Sequence, residues 1–236
     1  MDRMKIPAAL DIIVHDDIEA LSIAVARRIA KISAQAIEER GIFSIALAGG
    51  ETPRRCYELL REMPVDWKDV QVYFCDERCL PRGDMQRNDN MAHETLLMHL
   101  TIPNGNVHAI PAEDGARVAA MEYAALLEHT LPFDLVLLGM GEDGHTASLF
   151  PGNPAAGQQA SVVPVFDAPK PPSERVSLGI GTLNSARQKI FLVSGRAKQE
   201  ALGKIMCGIA LPAARVTKAE WHIDRAALPD EIACEN

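Results

Sequence analysis

Phe133-Asp134-Leu135-Val136-Leu137-Leu138-Gly139-Met140-Gly141-Glu142-Asp143-Gly144-His145-Thr146-Ala147-Ser148-Leu149-Phe150-Pro151-Gly152 decides the reading of this chain. An apolar run of strand length, 133–138, leads into closely spaced glycines, one carboxylate and one imidazole. A short apolar run bounded by turn residues reads as a buried strand, and the glycines let the backbone turn tightly after it. In open α/β sheets ligands collect beyond the carboxyl ends of the strands, so Asp143 and His145 stand where chemistry is expected.

Working outward, 11–15 reads as a first strand, followed by an amphipathic helix with Ile18, Leu21, Val25, Ile29, Ile32 and Ala36 at helical spacing and Gly41 as its stop. Strand 42–48 runs into Gly49-Gly50-Glu51-Thr52-Pro53 and a helix, and strand 70–75 runs into Asp76-Glu77-Arg78. A helix over 88–100, a short strand over 107–110 and a helix over 115–128 precede the central stretch. Beyond it the chain is rich in Pro, Gly and Ala to about residue 173, a surface connection with an extended piece at 161–165. Strands at 175–180 and 189–193, a helix at 197–206 and an edge strand at 220–224 complete the pattern. Strands alternating with helices predict an α/β fold, a doubly wound, mostly parallel sheet with helices on both faces, in a single domain over 1–236.

The chain has 236 residues, 47% hydrophobic, with a formal net charge of −8. Excess acid disfavours a nucleic-acid partner, because backbone binding needs clustered Lys and Arg. Five cysteines, an odd number, read most simply as reduced thiols. Cys75 and Cys79 have no second pair to complete a zinc site, and the other histidines fall in no metal spacing, so no metal is expected. Met1-Asp2-Arg3-Met4-Lys5-Ile6-Pro7 lacks a signal-peptide core and no apolar run reaches spanning length, which implies no membrane partner and a cytoplasmic location.

Gly139-Met140-Gly141-Glu142-Asp143-Gly144 matches the G-x-G-x-x-G dinucleotide fingerprint. Pro151, Gly152 and Pro154 stop any helix soon after it, and Asp143 would set a like charge against a pyrophosphate, so no dinucleotide cofactor is expected. His145 is a candidate general base, since imidazole titrates near neutral pH; the alternative is that Asp143 caps a short helix from Gly144 and His145 merely packs. The Gly49–Thr52 turn offers free backbone N–H groups at a helix start, with Arg54 or Arg55 adding charge, unless it is a plain βα turn. Arg78 offers a planar fork to a phosphate or oxyanion, or only braces its loop with Asp76. Arg175 and Lys198 are further cationic candidates.

Taken together, Leu47-Ala48-Gly49-Gly50-Glu51-Thr52-Pro53, Asp76-Glu77-Arg78 with Asn88 ten residues on, the 139–151 loop, Arg175-Val176, and Gly195 with Lys198 resemble the 6-phosphogluconolactonase family, within the group that includes glucosamine-6-phosphate deaminases. The resemblance implies a Rossmann-like domain without dinucleotide and the hydrolysis of 6-phospho-D-glucono-1,5-lactone, the second step of the oxidative pentose phosphate pathway. It implies His145 as general base, oriented by Asp143, and substrate contacts from Gly49, Gly50, Thr52, Arg54, Asp76, Arg78, Asn88, Gly141, Arg175 and Lys198. No cofactor, a small sugar-phosphate lactone as partner, and a monomer or homodimer go with it. The deaminases typically carry a carboxylate five residues after the histidine, where this chain has Phe150, and tend to have tyrosine at the place of Arg78. A sugar-phosphate sensor without catalysis would have no need of His145.

Overall fold

The computed structural model describes residues 10–231 and Cys234, so the N-terminal stretch 1–7 read above lies outside the described residues. In chain order the elements are β1 (Asp11–His15), α1 (Ile18–Arg40), β2 (Phe43–Leu47), α2 (Glu51–Leu60), β3 (Val70–Phe74), β4 (Asp76–Arg78), α3 (Asn88–Thr95) and α4 (Ala116–Leu127). There follow β5 (Leu135–Gly139), β6 (Val162–Val165), β7 (Arg175–Leu178), α5 (Ile180–Ser185), β8 (Gln188–Val193), α6 (Gln199–Met206) and β9 (Glu220–Asp224).

Helix α1 forms where the apolar spacing requires it. Asp17 accepts the Ala20 N–H at 2.8 Å, Gly41 closes the helix at φ 74°, and Leu21, Val25, Ile29, Ile32 and Ala36 are buried while Ile18 stays exposed. Each large apolar side chain so buried contributes about 1.5–3 kcal/mol. The stripe lies against β1, β2 and β9 and against α2.

The main sheet has the order β1-β9-β8-β5-β2-β3, with all its pairs parallel. Leu135 to Leu138 are wholly buried, as the unbroken apolar run requires of a strand covered on both faces. Asp134, read as part of that strand, anchors it instead: its carboxylate accepts the Ser44 N–H at 2.9 Å and hydroxyl at 3.1 Å. After β2 the chain moves outward to β3, and after β5 it moves the other way to β8, so the order reverses between β2 and β5. Their two carboxyl-end loops therefore open on one crevice.

Three expectations are corrected. The 220–224 strand is not at the edge; β9 lies between β1 and β8, and β1 forms the edge. Residues 107–110 form no strand, only a single bridge from Val107 to Val72. Cys207 and Cys234 are disulfide-bonded with Cα atoms 5.3 Å apart, leaving Cys56, Cys75 and Cys79 as the free thiols. Parity could not reveal that pair, since one bond and three free thiols also make five.

A second, antiparallel sheet, β4-β7-β6, stands beside the first. The sequence showed β7 and the extended piece that becomes β6, but not their pairing with Asp76–Arg78. No helix among the described residues is long and apolar enough to cross a membrane.

Candidate active site

The β5 loop closes on itself. Gly141 N donates to the His145 carbonyl at 2.8 Å, Gly144 N to that of Gly141 at 3.0 Å, and Leu149 N to that of Thr146 at 2.9 Å. No helix starts at Gly144, so the capping alternative fails there. Asp143 Oδ1 instead accepts the His145 backbone N–H at 3.1 Å and lies 2.5 Å from its Nδ1.

Burial opposes the charge on Asp143, but the bonds from the His145 ring and backbone outweigh it and hold the carboxyl at about 2. An ionised carboxylate only accepts, so Nδ1 carries the proton and Nε2 is left as the basic nitrogen. The glycines of the fingerprint serve this geometry. A Cβ on Gly141 would sit 2.0 Å from His145 Nδ1, so only glycine lets the ring settle there. Phe150 packs against the imidazole, centroids 4.5 Å apart, and against the Arg175 guanidinium, 5.4 Å from its centroid.

His145 lines a cleft of about 310 Å³ with the β2 loop, the end of β4 and residues from two later loops. That volume is at the small end of ligand sites. On the same cleft, Gly50 is the N-cap of α2 at φ 98° and supplies no side-chain cap, which leaves the first N–H groups of α2 free for an anion. Gly49 is needed because a Cβ there would meet Asn88 Oδ1 at 1.9 Å. Glu51 also lines the cleft, its side chain 89% exposed and 3.4 Å from Arg54 Nε.

Alternation along β4 sorts its three charges. Asp76 and Arg78 reach the cleft, while Glu77 points the other way, fully buried. Asp76 accepts the Ser148 hydroxyl at 2.6 Å and the Asn88 amide at 3.1 Å, tying the β5 loop to α3. Glu77 accepts backbone N–H groups from Arg78, Asn88 and Asp89 at 2.7–2.8 Å and so fixes the ends of the 79–87 excursion. Burial and the Asp89 charge push its carboxyl up.

Arg78 pairs directly across the ladder with Arg175. Like charges opposite each other destabilise a sheet, and together they make this edge of the cleft strongly cationic. The Arg78 Nη1 donates to the Gln86 carbonyl, and its buried Nε has no partner among the described residues. Lys198 is held by the turn that follows β8, where Asp224 accepts the Gly195 N–H at 3.1 Å. Burial lowers the Lys198 pKa against the raising effect of Glu142.

Of the residues expected from sequence, Gly49, Gly50, Thr52, Asp76, Arg78, Asn88, Gly141, His145, Arg175 and Lys198 line the cleft. Arg54 does not line it, its Nε lying 3.4 Å from Glu51; Arg55 is bound to Glu19 and Glu58. Asp143 stands behind the imidazole and not on the cleft wall. Lys170 and Phe150 line the cleft and were not read as contacts. The signal for Lys170 was a lysine in Pro169-Lys170-Pro171-Pro172 just before the Arg175 strand.

Residues 16–224 match the family described as glucosamine-6-phosphate isomerases/6-phosphogluconolactonase. The chain belongs to that family. It is 36% identical to a 6-phosphogluconolactonase of Synechocystis sp., over 86% of this chain and 87% of the relative. A second 6-phosphogluconolactonase, from Mycobacterium leprae, is 34% identical over 91% of this chain and 95% of its own. The crystal structure of 6-phosphogluconolactonase from Thermotoga maritima superposes with a TM-score of 0.84 at 30% identity, covering 91% of this chain and 99% of that one. A monomeric glucosamine-6-phosphate deaminase shares the fold, with a TM-score of 0.81 at 22% identity over 92% and 98% of the two chains. Family members of both named activities thus have this architecture, and the residues around His145 must separate them.

Proposed function

We propose that this chain hydrolyses 6-phospho-D-glucono-1,5-lactone to 6-phospho-D-gluconate, with His145 as general base. The observation that carries the reading is the 2.5 Å contact between Asp143 Oδ1 and His145 Nδ1 at the wall of a cationic cleft. Nε2 takes a proton from water as its oxygen bonds to the lactone carbonyl carbon. The carbonyl oxygen gains the negative charge, which Arg78 or the free N–H groups of α2 stabilise. The oxyanion then collapses, the bond from C1 to the ring oxygen breaks, and the imidazolium returns its proton to the leaving hydroxyl. Water is consumed and nothing is oxidised or reduced.

Phe150 weighs against deamination, since an apolar ring cannot relay a proton from the place where the deaminases carry a carboxylate. We take the protein to act as one domain, a monomer or homodimer, on a small molecule and not on nucleic acid or a membrane. A cytoplasmic location goes with that reading, although the Cys207–Cys234 bond weighs against a strongly reducing compartment.

With freshly generated lactone, the wild type is expected to release acid well above the spontaneous rate. His145→Ala should lose roughly 10²- to 10⁴-fold in kcat while still binding 6-phosphogluconate in a calorimeter. Full turnover by that variant would remove the imidazole from the reaction. A wild type that binds the product but opens no lactone would leave a sugar-phosphate binder, and ammonia release from glucosamine 6-phosphate would favour the deaminase.

A further inference from the structure

Lys170 and Pro171 line the cleft. The tip of Lys170 is loose: its side chain is 55% exposed, and Nζ lies 3.9 Å from Glu142 Oε2, beyond hydrogen-bond distance. An exposed pair of that kind contributes little and is readily exchanged.

The backbone carrying that tip is held firmly. Arg175, only 5% exposed, donates from Nη2 to the carbonyls of Lys170 at 2.9 Å and Pro171 at 3.2 Å, and from Nε to that of Pro172 at 3.1 Å, with its guanidinium carbon 5.4 Å from the centre of the Phe150 ring. Burial lowers the Arg175 pKa, so holding a turn this way carries a desolvation cost. A neutral side chain would hold a passive surface turn with less penalty. A full guanidinium buried to grip three neutral carbonyls makes sense where the position of the turn matters.

We infer that Lys170 determines specificity for the phosphate end of the substrate, exchanging Glu142 for phosphoryl oxygens, and that Arg175 is a positioning residue acting through it. The inference rests on the lactonase reading above and names which cation makes that cleft discriminate. A phosphate monoester carries nearly two negative charges at neutral pH, against one on Glu142, so the exchange favours the phosphorylated ligand. An unphosphorylated sugar lactone leaves the Lys170–Glu142 pair in place.

The test compares 6-phosphogluconolactone with unphosphorylated glucono-1,5-lactone, and adds inorganic phosphate as a competitive inhibitor. Lys170→Ala, at a side chain 55% exposed, is expected to raise KM for the phosphorylated lactone and Ki for phosphate about tenfold or more, with kcat within about twofold. Its kinetics on the unphosphorylated lactone should not change, and Lys170→Arg should recover most of the loss. Arg175→Lys keeps the charge but loses the grip on the turn. It should raise KM in the wild-type background and add little to Lys170→Ala.

An unchanged KM in Lys170→Ala, or equal losses on both lactones, overturns the specificity role. Additive effects of the two substitutions overturn the positioning role and place Arg175 on the substrate itself. Calorimetric binding of phosphate and 6-phosphogluconate separates the two readings. Lys170-dependent binding without turnover counts against the lactonase, and turnover with Lys170-independent binding counts against this inference.

Discussion

Arg78 at the end of β4 and Arg87 just before α3 lie nine residues apart, and the fold treats them in opposite ways. Arg87 is buried to 1% exposure with its donors engaged: Asp89 at 2.6 and 2.9 Å, Glu113 at 2.8 Å, and the carbonyls of Leu80 and Ile110. Arg78 makes one carbonyl bond, leaves Nε unpartnered among the described residues, and faces the cleft opposite a second arginine. Buried polar groups in folded proteins are normally satisfied. The sealed arginine therefore belongs to the scaffold, while Arg78 keeps donors free at the cleft.

The strongest way to break this contrast is to remove the sealed charge. Arg87→Met leaves Asp89 without its cation and Glu113 with only the exposed Arg82, and a loss of about 3–5 kcal/mol is expected in urea unfolding. A loss under about 1 kcal/mol would mean the cluster is not structural.

Arg78→Ala should do the reverse. Stability is expected to stay within about 0.5 kcal/mol, while kcat/KM falls by roughly 10- to 100-fold, the worth of a charge-assisted contact. A variant that melts early but turns over normally would assign Arg78 to the scaffold after all.

The smallest expected effect sharpens the contrast through pH. His222, 4% exposed and stacked on His15 at 5.1 Å, has its pKa lowered first by burial and then by the charge of His15. The unfolded chain binds the proton more readily, so this stabilisation is present above the ordinary value of 6.5 and is lost as pH falls through it. Asp143, held at about 2, stays paired with His145 over the same window, and its own contribution is lost only as pH falls toward 2. Between pH 7 and 5 the melting temperature should therefore decline, and His222→Gln should flatten the slope. An unchanged slope in that variant would place the titration elsewhere.

Much of this was legible in the chain. Residues 133–138 have no charge but Asp134, and an unbroken apolar run has few places to go except the centre of a sheet. The β5 loop was legible too, because glycine spacing and the Asp143–His145 separation are local. The small antiparallel sheet was not, since the three residues of β4 are too few to show a period and pair with a strand nearly a hundred positions later. Arg54 was misplaced because sequence cannot tell which side of α2 faces the cleft.

What the sequence determined by itself was most of the alternation of strands and helices and the loop after β5 that lines the cleft. These follow from periodicity, turn chemistry and glycine, all of which act within a few residues. Tertiary structure alone decided which charges are free to act. A cation is neutralised or left available by groups that meet it in space, as Glu113 does for Arg87 and the 170–172 carbonyls do for Arg175. Electrostatic and hydrogen-bond satisfaction depend on distance and burial, and neither can be read from separation along the chain.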